Sequence, residues 1–299
     1  MKKFLLGAHM STTGGFYHAA FFGQETGCSA IQIFTKSNRQ WQARPIITED
    51  ANKFKAAIEQ ANINYVVAHA SYLINLASPD INTQHKSINA LVEELNRCSQ
   101  LGIRDLVLHP GSRLETPITQ ALEQVAHNIN LALDQAASDT KILIETMAGQ
   151  GSSVGSSFEE ISQIIGGVKQ DERVGVCLDT CHIFAAGYNF SSPDQYIKMW
   201  HDFNHIIGLN KLGLIHLNDS KKALNSRVDR HAEIGDGQIS LEAFKLLMND
   251  PKLLNIPKIL ETPKEDIRDD EKNMQKLVDL IEKDQLKYLK NTNLEKFLS

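Results

Sequence analysis

The stretch RVGVCLDTCHIFAAG, residues 173–187, contains a short apolar run that ends at Asp179 and is followed by His182. The run is continuous rather than alternating, which is typical of a strand that is buried on both faces of a parallel sheet. Cys177 and Cys181 lie in the same stretch and leave three interpretations open. The stretch belongs to a disulfide, to a cysteine-ligated metal site, or to a catalytic edge in which the cysteines take no part.

Seven further runs of this kind occur along the chain. They are FLLGAH (4–9), AIQIFT (30–35), YVVAHA (65–70), DLVLHP (105–110), KILIET (141–146), LGLIHLND (212–219) and PKILET (257–262). Amphipathic helical patterns separate them, for example over residues 88–103 and 118–133, where apolar side chains recur every three or four residues. Eight successive strand–helix units predict a (β/α)8 TIM barrel, with a doubly wound open sheet as the alternative.

No linker or shift of composition divides the 299 residues. We therefore predict a single barrel domain over residues 1–285 and a polar, loosely packed extension over residues 286–299. The segment GQGSSVGSS, residues 149–157, is interpreted as a long loop after the fifth strand, because a helix and a strand follow it in phase. It lacks the spacing of a dinucleotide-binding fingerprint.

The composition is ordinary for a globular protein, with 42% apolar and 22% charged residues. The formal net charge of −5, taken alone, argues weakly against a nucleic-acid partner. The chain has only four cysteines, an apolar start that breaks at Gly7, and no run long enough to cross a membrane. These features predict a cytoplasmic protein without disulfides, which we expect to be a monomer.

Histidine or a carboxylate ends six consecutive predicted strands. These residues are His69, His109, Glu145, Asp179, His216 and Glu261. All strand ends of such a barrel open on one rim, where active sites lie. A single buried histidine is more often a core residue, but six such ends in succession indicate metal ligands, with zinc preferred and manganese or iron as alternatives. The ligands are too many for one ion.

Two loop segments add candidates. His182 follows Asp179 by three residues, and Asp229 and His231 form an Asp-x-His pair whose side chains point the same way in an extended segment. We predict that His182, Asp229 and His231 form a third site. His9 ends the first strand at the same rim and is a candidate for substrate contact.

The alternation of side chains along a strand assigns the cysteines. Cys177 shares a face with Asp179, so it points into the barrel one layer below the rim and acts as a small apolar core residue. Cys181 lies in the following turn, where packing is the expected role. Neither has the paired Cys-x-x-Cys spacing of a structural zinc site. We therefore expect both cysteines to take no part in metal binding or catalysis.

Together these motifs resemble the endonuclease IV family of apurinic/apyrimidinic endonucleases. The resemblance runs from residue 7 to residue 263, and its most specific stretches are FTKSNRQW (34–41), HASYLINL (69–76), LHPGS (108–112), IETMAGQG (144–151), GVCLDTCH (175–182) and HLNDSKKALNSRVDRH (216–231). It implies an eight-stranded α/β barrel that acts on double-stranded DNA. The implied reaction cuts on the 5′ side of an abasic site, leaving a 3′-hydroxyl and a 5′-deoxyribose phosphate, and also trims blocked 3′ ends.

The resemblance also implies three zinc ions per chain. The implied ligand sets are His69, His109 and Glu145; Glu145, Asp179, His216 and Glu261; and His182, Asp229 and His231. We hypothesise that a hydroxide held between the two ions that share Glu145 attacks the phosphate in line. Glu145 or Glu261 would orient the attacking water or accept its proton.

Three divalent ions would change the net charge from −5 to about +1 and would concentrate positive charge at the rim, which makes DNA an acceptable partner. Several cations lie in loops of the same rim, and as a cluster they are predicted to contact DNA phosphates. These cations are Lys36, Arg39, Lys221, Lys222, Arg227 and Arg230. The resemblance implies that Arg39, Tyr72 and Leu73 are inserted into DNA at the abasic site.

The chain departs from the family pattern at a few positions. Asn225 replaces the usual Gly in the loop before Asp229, and Thr146 and Met147 replace an Asn-Thr pair after Glu145. Asn is the residue besides Gly that best tolerates positive φ, so we expect the loop to keep its shape. The change at residues 146 and 147 affects hydrogen bonding around the ligands and no ligand itself.

Two other functions remain as alternatives. A metal-dependent sugar isomerase or epimerase on a similar barrel would account for four or five of the ligands, but not for the third site. A DNA-binding module without catalytic activity would need no such metal cluster.

Overall fold

The computed structural model describes residues 3–298, and within them eight parallel strands close into a barrel, as predicted. The barrel strands are β1 (Leu6–His9), β2 (Ala30–Phe34), β3 (Tyr65–His69), β4 (Asp105–Leu108), β5 (Lys141–Glu145), β6 (Val174–Asp179), β7 (Leu212–His216) and β10 (Lys258–Leu260). Strand β10 pairs with β1 and β7, which closes the barrel and rules out the open sheet. Two short strands, β8 (Asp219–Ser220) and β9 (His231–Ala232), form a separate antiparallel ribbon that the sequence analysis missed.

Helices follow the strands and cover the outside of the barrel. They are α1 (Phe16–Thr26), α2 (Thr48–Gln60), α3 (Ile81–Leu101), α4 (Ile118–Gln135), α5 (Phe158–Gly166), α6 (Thr180–Ala186), α7 (Pro193–Ile206), α8 (Leu241–Asn249) and α9 (Ile267–Asp279). Helix α3 begins where Asp80 accepts a hydrogen bond from the Thr83 amide and ends at Gly102, whose φ of 76° suits glycine. No helix in the described part of the chain has the length and apolarity needed to cross a membrane.

A layer of small and branched side chains fills the barrel and determines which residues reach the rim. The layer consists of Ala30, Val67, Val107, Leu143, Cys177, Leu214 and Ile259, all fully buried. Strand side chains alternate between faces, so the residue two positions later points to the same side. That step leads from this layer to Gln32, His69, His109, Glu145, Asp179, His216 and Glu261. The ligand candidates are therefore the next layer of the barrel interior.

The C-terminal extension is not loosely packed, and this part of the prediction was wrong. Leu289 and Leu294 are fully buried and Phe297 is nearly so. The Asn293 amide donates to the backbone carbonyls of Cys28 and Ala61, each at 2.8 Å. The segment is polar in composition, but it contains a few apolar side chains that pack against the barrel. Two 3-10 turns space these side chains along the segment.

Candidate metal centre

The barrel rim brings the nine predicted ligands together. Within the described residues their ligand atoms form three groups, and inside each group the atoms lie within 4.8 Å of one another. The first group is His69, His109 and Glu145; the second is Glu145, Asp179, His216 and Glu261; the third is His182, Asp229 and His231. Because Glu145 belongs to two groups, those two share a carboxylate, and the third group lies beside them, with Nε2 of His231 3.8 Å from Asp179 Oδ2.

In the first group both histidines face one oxygen of Glu145. Nε2 of His69 lies 3.2 Å and Nε2 of His109 lies 3.0 Å from Glu145 Oε2. Nδ1 of His69 is 2.7 Å from the Ala70 carbonyl oxygen, which can only accept, so Nδ1 carries a proton and donates it. The donation fixes the tautomer in which the Nε2 lone pair is directed at the site, as in metal-ligating histidines.

In the second group two buried carboxylates, Glu145 and Asp179, and the half-buried carboxylate of Glu261 surround one imidazole. Nδ1 of His216 lies 3.0 Å from Glu145 Oε1, 3.3 Å from Glu261 Oε2 and 3.8 Å from Asp179 Oδ2. Burial alone would raise the pKa of Glu145, but His216 and His109 outweigh it and hold that pKa well below its usual range. Glu145 is therefore an anion, and so many converging acceptors favour a cation among them.

In the third group two histidines face one carboxylate, with His182 Nε2 3.2 Å from Asp229 Oδ2 and His231 Nε2 3.3 Å from Asp229 Oδ1. Their Nδ1 atoms lie 2.8 and 3.0 Å from the carbonyl oxygens of Thr146 and Glu261, to which they donate. Both Nε2 atoms are buried and lack a hydrogen-bond partner. Unpartnered lone pairs that converge beside a carboxylate are the donor set that a divalent transition metal accepts.

The spacing of Asp179 and His182 has a local structural cause. Asp179 ends β6 and is also the N-cap of α6, where its Oδ1 accepts a hydrogen bond from the His182 amide at 2.8 Å. An N-cap side chain bonds the amide three residues on, so the Asp-x-x-His spacing is that of a capped helix start. One short helix thus places ligand candidates of two groups side by side.

Two amides, Gln32 and Asn218, orient the second group and were missed in the sequence. Gln32 donates to Glu261 Oε1 at 2.6 Å and lies 2.8 Å from Nε2 of His216, which donates to Gln32 Oε1. Asn218 donates to Asp179 Oδ2 at 2.6 Å and accepts from the Glu261 amide at 2.8 Å. Gln32 is a polar residue inside the apolar run AIQIFT, and this was the signal that the sequence offered.

The predicted DNA contacts lie around this cluster. Tyr72 is 54% exposed, and its ring centroid lies 5.3 Å from that of His69 and 5.5 Å from that of His109. Leu73 is half-buried beside it. His9 is also half-buried, and its Nδ1 lies 3.0 Å from the Gln32 amide nitrogen. Of the rim-loop cations named in the sequence analysis, five are exposed: Arg39, Lys221, Lys222, Arg227 and Arg230.

Lys36 does not belong to this exposed set, which corrects the sequence prediction. Its side chain is 1% exposed, and the ammonium donates to the Trp41 carbonyl at 2.9 Å and to Glu93 Oε2 at 3.1 Å. The strand end turns this side chain inward against α3 instead of towards solvent. Its charge is balanced within the protein, so it is not available to a DNA phosphate.

Comparison with known proteins agrees with this geometry. The family model described as "Xylose isomerase-like TIM barrel" matches residues 22–284. "Probable endonuclease 4" of Geotalea daltonii is 44% identical over 283 residues, which are 94% of this chain and 99% of that protein. "Probable endonuclease 4" of Chloroflexus aggregans is 45% identical over 277 residues, 92% of this chain and 97% of that protein. The chain belongs to the endonuclease IV family.

One solved structure supports the family assignment, and a second shares only the fold. The crystal structure of endonuclease IV from Thermus thermophilus has a TM-score of 0.83 and 33% identity, and the match covers 92% of this chain and 98% of that one. A D-tagatose 3-epimerase-like protein has a TM-score of 0.69 with 17% identity over 95% of this chain and 98% of its own. The second likeness is one of fold alone.

The departures from the endonuclease IV pattern keep the site intact. Asn225 has a φ of 61°, a left-handed conformation that asparagine was expected to tolerate. Its backbone N–H donates to the Phe184 carbonyl at 3.1 Å. Thr146 supplies two contacts, because its Oγ1 accepts from the Asp179 amide at 3.0 Å and its carbonyl accepts from His182. The substituted residue therefore orients ligand candidates of two groups.

Proposed function

We propose that this member of the endonuclease IV family is a DNA-repair endonuclease that hydrolyses the phosphodiester bond on the 5′ side of an abasic site. The products would be a 3′-hydroxyl and a 5′-deoxyribose phosphate, and the same site would trim blocked 3′ ends. The observation that carries the proposal is the third group beside two groups that share Glu145. A sugar epimerase with a single metal centre would account for four or five of the ligands, but it would not account for the third group.

The donor set supports three zinc ions per chain, with manganese or iron as alternatives at some sites. Each group combines imidazole with carboxylate, and the unpartnered Nε2 atoms of His182 and His231 fit the same ligand chemistry. When bound, the ions would lower the pKa of a water ligand to roughly 7 and offset the negative charge of the phosphate in the transition state.

Glu145 and Glu261 are the proposed catalytic carboxylates. Glu145 is fully buried and belongs to two groups, so it fixes their spacing. Gln32 donates to Oε1 of Glu261, which leaves Oε2 directed at the site to orient the attacking water or accept its proton.

The rim supplies the proposed recognition of double-stranded DNA. An abasic site offers no base edge to read, so selection depends on deformability and on filling the gap in the base stack. Tyr72, Leu73 and Arg39 are the proposed inserted residues, and the exposure of Tyr72 and Arg39 is consistent with that role. Lys221, Arg230 and His9 are the proposed contacts to the DNA backbone.

Metal removal tests the proposal. Purified protein should nick a duplex carrying one tetrahydrofuran abasic analogue, and prior dialysis against a chelator should abolish nicking until zinc is restored. The analogue cannot undergo β-elimination, so a nick means hydrolysis, and extension of the nicked strand by a DNA polymerase reports the 3′-hydroxyl. The matched duplex without the analogue is the control. Nicking that survives complete metal removal would refute a metal-dependent mechanism.

The cysteines provide a further prediction, because ligand geometry alone does not exclude them. Cys177 lies near Glu145 and His216, and Cys181 lies near Asp179 and His231. Burial raises the pKa of both thiols to about 12, which disfavours the thiolate that binds metal.

The double variant Cys177→Ala, Cys181→Ser should therefore keep its metal content and most of its nicking activity. Unfolding by urea should show a loss of about 1–2 kcal/mol from the void at residue 177. Elemental analysis that finds one metal ion fewer per chain would identify a cysteine ligand and contradict the assignment.

A further inference from the structure

Two neighbouring loops carry the proposed inserted residues, and one buried carboxylate joins them. Arg39 lies in the loop after β2, and Tyr72 lies in the loop after β3. Glu94, on α3, is 1% exposed. Its Oε2 accepts a hydrogen bond from Thr35 Oγ1 in the first loop, and its Oε1 accepts one from the Ser71 amide in the second loop at 3.3 Å. One side chain thus holds the starts of both loops.

Ser71 fastens the loops to each other at the residues next to those inserted. Its hydroxyl donates to the Asn38 carbonyl at 2.9 Å and accepts from the Leu73 amide at 3.3 Å. Asn38 directly precedes Arg39, and Ser71 directly precedes Tyr72. The position of Arg39 relative to Tyr72 and Leu73 is therefore set by a hydroxyl whose own backbone is held by Glu94.

Buried cations hold the remainder of the loop after β2. Arg97 is 7% exposed and donates from Nε to the Thr35 carbonyl at 3.1 Å and from Nη1 to the Arg44 carbonyl at 2.8 Å. Lys36, paired with Glu93, holds the Trp41 carbonyl in the same way. The loop is thus bonded to α3 at several points on both sides of Arg39.

This network is a costly way to hold two surface loops. Charges taken out of water lose more hydration energy than an ion pair usually returns, so apolar packing would stabilise the fold at least as well. A satisfied polar network instead specifies one geometry. Inserted side chains gain from such order, because residues that are already positioned lose less conformational entropy on binding.

We propose that Glu94 and Ser71 are positioning residues for abasic-site recognition, which lock the two loops so that Arg39, Tyr72 and Leu73 meet the DNA as one preorganised element. This inference rests on the proposed function and adds to it the residues that set its selectivity. Neither residue belongs to the nine ligand candidates.

The test compares Ser71→Ala and Glu94→Gln with Ser29→Ala. Ser29 is also a buried serine, and its hydroxyl donates to the Phe4 carbonyl at 2.8 Å and accepts from the Leu6 amide at 3.0 Å, at the opposite end of the barrel. Steady-state nicking of the abasic duplex gives KM and kcat. Hydrolysis of bis(4-nitrophenyl) phosphate, a diester too small to need the loops, reports the cluster alone, and bound zinc is counted for each protein.

Ser71→Ala and Glu94→Gln should raise KM for the abasic duplex about tenfold, with zinc content and hydrolysis of the small diester within twofold of wild type. Ser29→Ala should leave KM unchanged. If Glu94→Gln fails to fold, Ser71→Ala alone decides. An unchanged KM in Ser71→Ala, or a parallel loss of both activities, would overturn the inference while wild-type nicking leaves the proposed function standing. Absence of wild-type nicking would refute the proposed function itself, and this inference with it.

Discussion

Replacing Glu145 by glutamine is expected to lower kcat/KM for nicking of an abasic duplex by at least roughly a thousandfold. Glutamine has nearly the same shape, so the barrel should still fold. The amide, however, carries no charge and offers one acceptor oxygen where the carboxylate faces His109 through Oε2 and His216 through Oε1. The two groups that share Glu145 would lose their bridge, and bound zinc should fall below three ions per chain.

Glu160→Gln is the matched control for that variant. Glu160 is half-buried at the start of α5, outside the ligand groups, and its Oε2 accepts from the amides of Gly155 and Ser156 at 2.7 and 2.9 Å. It should retain three ions and nicking within a few-fold of wild type. Near-normal turnover of Glu145→Gln at saturating zinc would show that the shared carboxylate is not essential, and would remove the basis for linking the two groups.

The second large effect is expected in recognition. The triple variant Arg39→Ala, Tyr72→Ala, Leu73→Ala should raise KM for the abasic duplex at least roughly a hundredfold, since each of three inserted or stacked side chains would contribute about 1 kcal/mol or more. The inhibition constant of undamaged duplex, measured as a competitor, should change less than threefold. Zinc content should stay at the wild-type value, because none of the three residues is a ligand candidate.

Ile197→Ala controls for the loss of exposed apolar surface. Ile197 is 66% exposed on α7, on the outside of the barrel. Its removal should alter neither constant. If the triple variant lost affinity equally for abasic and undamaged duplexes, the three residues would be ordinary surface contacts and the account of damage recognition would be wrong.

The sequence predicted the rim cluster well because the barrel imposes a simple rule. Strands of parallel sheets are short and continuous in apolar residues, and their carboxyl ends share one rim. A polar residue at the end of such a run, as at His69 or Asp179, therefore has only one region of the fold in which to lie. The same two-residue step placed Cys177 in the layer below.

The features that were missed depend on partners far apart in the chain. Lys36 was predicted to be a rim cation, and its burial follows from its ion pair with Glu93, 57 residues later on α3. Gln32 gains its meaning only from Glu261, 229 residues away. Neither pair can be recognised from the neighbouring sequence, because contacts between side chains of different elements depend on how those elements pack in the barrel. The extension after residue 285 was misjudged for the same reason.

The most direct test of the three-metal account is a zinc titration of metal-free protein, followed by native mass spectrometry and by nicking of the abasic duplex in the same samples. Three ions per chain should bind, and full activity should appear only as the third equivalent is added. Asp229→Asn, which alters the carboxylate that His182 and His231 share, should bind two ions and nick far more slowly. Full nicking activity with a single ion per chain would contradict the account.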